Sequence, residues 1–119
     1  MDPKIQRVIV FLESNLHERL SLTAMARLAG LSPSRFRHKF KEELGVTPTI
    51  YLLRVRLRVA RILLEENRLS VKEVKAAVGI QSDSYFTHQF KTIYGSTPSR
   101  SRSEYSYGTS QPLGSQIEQ

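Results

Sequence analysis

The chain has 119 residues, enough for one domain with a modest core. With 18 Lys and Arg against 11 Asp and Glu it carries a formal +7, which fits either a polyanionic partner or a surface charged for solubility alone. There is no cysteine, so disulfides, thiolate metal sites and a cysteine nucleophile are excluded, as suits a reducing compartment, and the apolar runs, Val8-Ile9-Val10-Phe11 among them, are too short for a membrane span or secretory leader.

The segments between the sparse glycines and prolines read at helical period, and none alternates long enough to suggest a strand. A first helix over about 3–15 carries Ile5, Val8, Ile9 and Leu12 as one apolar stripe, with Asp2 placed to cap it and Pro3 in its first turn. A short helix over about 22–29 stops at Gly30. Ser32-Pro33 starts a third, which carries Phe36 and Phe40 one turn apart and stops at Gly45. Thr47-Pro48 opens a long helix to about Glu66, whose expected core stripe is Ile50, Leu53, Leu57, Ala60 and Leu64. Three more helices are predicted over about 71–78, 83–94 and 98–101. From Ser103 the chain is rich in Ser, Gly, Gln, Thr and Pro, and 103–119 reads as a disordered tail.

The chain repeats itself. Leu20-Ser21-Leu22 recurs as Leu69-Ser70-Val71, and Gly30-Leu31 as Gly79-Ile80, at an offset of 49. The offset then becomes 50, pairing Phe36 with Phe86, Phe40-Lys41 with Phe90-Lys91, Gly45 with Gly95 and Thr47-Pro48 with Thr97-Pro98. One residue has therefore been added between Gly79 and Phe86. Each unit reads as short helix, glycine turn, second helix and glycine stop, the layout of a helix-turn-helix whose second helix enters the major groove.

The second unit, in Val78-Gly79-Ile80, Ser84-Tyr85-Phe86, Phe90-Lys91, Gly95, Thr97-Pro98 and Arg102, resembles the DNA-binding domain of AraC/XylS-type bacterial transcription regulators. The linker resembles it too, in Gly45, Thr47-Pro48, Tyr51-Leu52, Arg56-Leu57, Ala60 and Leu63-Leu64. The resemblance covers about 5–102. It implies an all-α fold of about seven helices: a double helix-turn-helix domain over 1–102, with subdomains at about 3–46 and 69–102 joined by a linker helix at about 47–66. It also implies a cytoplasmic regulator, commonly an activator, that reads two successive major grooves of duplex DNA. RNA polymerase is a second candidate partner. No membrane, no cofactor and no small-molecule ligand are expected for this chain, and it is expected to be a monomer unless part of a longer protein. No sensor domain lies in it, so it either acts alone or is the output part of a longer regulator.

On the first recognition helix the face turned from the two phenylalanines holds Ser34, Arg37, His38 and Lys41, flanked by Arg35 and Lys39. By resemblance this set faces the groove, where Arg37 can give two hydrogen bonds to guanine. On the second the outer face holds Asp83, Ser84, Thr87, His88 and Lys91. His38 and His88 are equivalent across the repeat. Asp83 reads first as an acid favouring its helix N-terminus, and second as an acceptor from cytosine or adenine amino groups. Of Arg54, Arg56, Arg58 and Arg61 on the linker, Arg56 matches a family position and suggests a contact between subdomains; phosphate contact and plain solvation are equal readings for the others. Backbone amides at the starts near Leu22, Pro48, Val71 and Pro98 are further candidate phosphate contacts.

Two residues depart from the pattern. Lys75 replaces the small residue that Ala26 supplies in the first unit. It must snorkel or loosen the packing, and Lys75→Ala is expected to raise the melting point. Ser101 stands where the family has an aromatic, so the last helix is expected to dock weakly. No catalytic or metal site is expected. Glu42-Glu43 and Glu65-Glu66 point about 100° apart on their helices, and the histidines lack metal-ligand spacing. The competing reading is a basic helical module that binds protein or nucleic acid without sequence specificity. The charge is lopsided: 1–68 has thirteen basic and seven acidic residues, hence +6, and 69–119 five and four, hence +1.

Overall fold

The structure, a computed structural model, describes residues 1–102; the expected tail at 103–119 lies outside the described residues. Six helices are bounded: α1 (Pro3–Ser14), α2 (Leu22–Ala29), α3 (Pro33–Leu44), α4 (Pro48–Glu66), α5 (Val71–Ala77) and α6 (Asp83–Tyr94). A seventh helical stretch runs over 98–102, and there is no strand among the described residues. The chain divides into two compact units, Met1–Arg56 and Leu57 onward, and the division falls inside α4.

In the first unit α1 starts where Asp2 accepts the amide of Lys4 at 2.8 Å, with Pro3 at a position that needs no donor. α2 is capped by Ser21 and ends at Gly30, whose φ of 72° is left-handed. The amide of Leu31 then closes the turn onto the Ala26 carbonyl at 3.0 Å. α3 is capped by Ser32 and ends at Gly45, φ 84°. α1 packs on α2 and α2 on α3. Ile5, Val8, Leu12, Met25, Ala26, Ala29, Phe36 and Phe40 are buried. The Phe36 and Phe40 rings lie 5.7 Å apart at 57°, within the range of favourable aromatic pairs.

The second unit repeats the plan. α5 opens on a reciprocal capping box between Ser70 and Glu73. Gly79 takes φ 82°, and the amide of Ile80 closes the turn onto the Lys75 carbonyl at 3.2 Å. α6 is capped by Ser82 and ends at Gly95, φ 86°. Val74, Val78, Ile80, Phe86 and Phe90 are buried, and the two phenylalanine rings lie 5.9 Å apart at 56°. The added residue is now located. Ser32 matches Ser82 and Leu31 matches Ile80, so the insertion is Gln81.

Four expectations change. Ile50 is 44% exposed and Leu53 half-buried; the first-unit stretch of α4 buries Leu52 and Val55 instead. Leu57, Ala60 and Leu64 are buried as expected, in the second-unit stretch. At about 100° per residue these two sets project to roughly opposite sides of the helix, so a single continuous stripe was the wrong pattern. Second, Arg56 donates to the carbonyls of Leu16 at 3.1 Å and Glu18 at 2.7 Å, bonds that lie within the first unit and fasten the loop before α2. Third, Lys75 is anchored: Nζ donates to the Gln81 carbonyl at 2.8 Å and pairs with Asp83 Oδ1 at 3.0 Å. Alanine there removes both contacts, which argues for a lower melting point. The last helix is likewise fastened. Arg102 donates to Asn67 Oδ1 at 2.8 Å and to the Leu69 carbonyl, with Ser101 half-buried beside it.

Candidate nucleic-acid interface

Burying Phe36 and Phe40 fixes which side of α3 meets solvent. Ser34, Arg35, Arg37, His38 and Lys41 are all exposed, as the spacing predicts. Ser34, Arg37, His38, Lys41 and Glu42 line one shallow depression on this surface. Glu42, absent from the expected set, lies one turn from His38, with its Oε2 4.0 Å from His38 Nε2. Both side chains are mostly exposed, so the contact leaves the imidazole accessible. Lys39 lines a neighbouring depression with Ser34, Arg35, His38 and Glu42, and its Nζ also lies 3.3 Å from Asp2 Oδ2 and 4.0 Å from Glu43 Oε2, tying the start of α1 to the far half of α3.

α6 presents the corresponding surface opposite Phe86 and Phe90. Asp83, Ser84, Thr87, His88 and Lys91 are all exposed. Tyr85 is 47% exposed and was missed by sequence reasoning. Its signal was the repeat itself, since Tyr85 occupies the place of Arg35 at the offset of 50. The phenol adds a donor and an aromatic face beside the outer surface. Asp83 stands in the first turn of α6, as its first reading has it, and its carboxylate is also engaged by Lys75. At the C-terminal end of α6, Lys91, Tyr94, Gly95, Ser96, Thr97 and Arg100 line a second polar depression.

The remaining candidates are narrowed by contacts already made. Arg61 stacks its guanidinium 4.7 Å from the Tyr94 ring centroid and pairs with Glu65 at 3.5 Å, so it is part of the second unit's packing. Arg54 and Arg58 are exposed. At the four helix starts proposed as phosphate contacts, the third amide is taken by a cap: Ser21, Thr47, Ser70 and Thr97 accept from Ala24, Ile50, Glu73 and Arg100. Among the described residues no group of three or more His, Asp or Glu could hold a metal ion, and no helix is long and apolar enough to cross a membrane.

A family model described as a helix-turn-helix domain matches residues 25–104. The DNA-binding domain of AdpA, a global transcriptional factor solved in complex with a target DNA, superposes with a TM-score of 0.87 at 27% identity, covering 93% of this chain and all of that one. An AraC-type transcriptional regulator from Chromobacterium violaceum gives a TM-score of 0.78 at 30% identity, covering 87% of this chain and 92% of that one. Among curated relatives, the regulator GbdR of Pseudomonas aeruginosa is 30% identical over 115 residues, 97% of this chain and 30% of its own length. The regulator GlxA of Rhizobium meliloti is 36% identical over 96 residues, 81% of this chain and 30% of its own. The chain belongs to the AraC-type helix-turn-helix family of DNA-binding transcription regulators. It spans about a third of the length of the curated relatives it matches.

Proposed function

We propose that this chain is the DNA-reading part of a sequence-specific transcription regulator acting in the bacterial cytoplasm, commonly as an activator, with α3 and α6 set into two successive major grooves. The observation that carries this is the matched pair of outer faces. Ser34, Arg37, His38 and Lys41 on one helix answer to Ser84, Thr87, His88 and Lys91 on the other, each opposite a buried phenylalanine pair. A merely solvated helix has no reason to keep these positions in step, whereas two readers of one duplex do.

The roles follow from chemistry. Arg37 offers the fork that fits guanine O6 and N7, and His38 and His88 can donate or accept at base edges. Arg35, Lys41 and Lys91 meet phosphates and carry the salt-dependent part of the affinity, most of it in the first unit. Two different reading helices in one chain suit a non-palindromic site bound by a monomer.

Fluorescence titration with duplexes of varied sequence at several salt concentrations tests this reading. A preferred duplex should bind at least about 10³-fold more tightly than unrelated ones. Equal affinity for all duplexes, vanishing at moderate salt, would leave only a nonspecific basic module.

A further inference from the structure

The second unit differs from the first at three places that meet in space. Lys75 replaces Ala26, Asp83 replaces Pro33, and Gln81 is the residue that the first unit lacks. Lys75 Nζ donates to the Gln81 carbonyl at 2.8 Å and pairs with Asp83 Oδ1 at 3.0 Å. The three changes thus form one contact. The inserted residue supplies the carbonyl that the lysine needs, and the lysine reaches the first residue of the recognition helix. The Lys75 side chain is 14% exposed, whereas the Asp83 side chain is 87% exposed. Asp83 is also the only acidic residue on α6.

That carboxylate stands at the leading end of a surface that approaches a polyanion. Unpaired, it would repel phosphates and would turn or move freely. We propose that Lys75 is a positioning residue for DNA binding by the second unit: it neutralises and orients Asp83, so that α6 can enter the groove with one carboxylate oxygen fixed as an acceptor. Lys75 acts from behind the helix and touches no DNA. The proposal rests on the DNA-reading function above. It also explains how a helix with one acid and one base can still bind a polyanion, because the acid is already matched from another helix.

A double-mutant cycle on the duplex enriched by the wild-type chain from a random pool tests it. Lys75→Gln keeps a donor for the Gln81 carbonyl but removes the charge, and Lys75→Met keeps only the stem. Each is expected to weaken binding about five- to tenfold when Asp83 is present. In the Asp83→Asn background, whatever that change itself does to affinity, adding Lys75→Gln should change affinity less than about twofold. A loss of the same size in both backgrounds, or no loss from Lys75→Gln, overturns the proposal, because the lysine then acts through folding or not at all. If the wild type itself shows no preference for the enriched duplex over a shuffled one, the DNA-reading function fails and this proposal with it.

Discussion

Arg56 Nη2 donates to the carbonyl of Glu18 at 2.7 Å while its Nε donates to Leu16 at 3.1 Å, so one guanidinium on α4 fastens the loop that leads into the first helix-turn-helix. Arg102 does the same in the second unit, bonding Asn67 and the Leu69 carbonyl ahead of α5. In both units an arginine beyond the recognition helix holds the entry to the helix before it. Arg56→Ala should therefore lower stability by about 2–3 kcal/mol, the scale of two bonds from a charged donor. Arg56→Lys should recover only part, since an ammonium cannot reproduce the fork. Calorimetric melting checks this, and an unchanged midpoint for Arg56→Ala would remove the arginine from the account of the fold.

Gly45 and Gly95 end the two recognition helices at φ 84° and 86°, and an added Cβ at either would meet nothing within 4 Å. The cost of a side chain there is conformational, not steric. Gly45→Ala and Gly95→Ala should each destabilise by about 1–2 kcal/mol, and the asparagine variants by less, because asparagine tolerates the left-handed region. Chemical denaturation measures both, and equal losses for alanine and asparagine would point to a clash instead.

Two carboxylates link stability to pH. The backbone amide of Lys4 chiefly, helped by Lys39, holds Asp2 below its ordinary pKa; the amide of Ser70 and its hydroxyl do the same for Glu73. Both groups titrate lower in the folded chain than in the unfolded one. Their stabilisation is thus present above their ordinary values of 3.8 and 4.5 and is lost as the pH falls through the lowered folded values. Urea unfolding across that acid range should show wild type converging on Asp2→Asn and Glu73→Gln. Parallel curves for wild type and variants would contradict the linkage.

Arg37 is the strongest single reader proposed. Arg37→Ala should cost about 1–3 kcal/mol on the preferred duplex and relax the preference at one base pair. A loss shared evenly by all duplexes would reduce Arg37 to a phosphate contact.

Much of this was legible in the chain. Serine or aspartate caps, prolines in first turns and closing glycines set the helix bounds, because each satisfies the backbone locally. The paired phenylalanines fixed the outer faces, so the ten candidate readers emerge exposed. Tertiary demands account for what was not legible. Ile50 and Leu53 fit a single stripe, but α4 buries a different side in each unit, and one periodicity cannot encode two cores. Lys75 looked like a misfit because its partners, Gln81 and Asp83, become neighbours only when the turn has formed. The pairing of Lys39 with Asp2 joins residues far apart in the chain, so no local pattern announces it.

The central claim is that two helices of one chain read two stretches of duplex. Selection of binding sites from random duplexes, followed by sequencing, tests it most directly. The account predicts an asymmetric site with two constrained blocks about 10–11 base pairs apart, centre to centre. Substitutions at Ser34 or Arg37 should alter one block, and substitutions at Thr87 or His88 the other. No enrichment, or one palindromic block altered alike by both sets of variants, would contradict it.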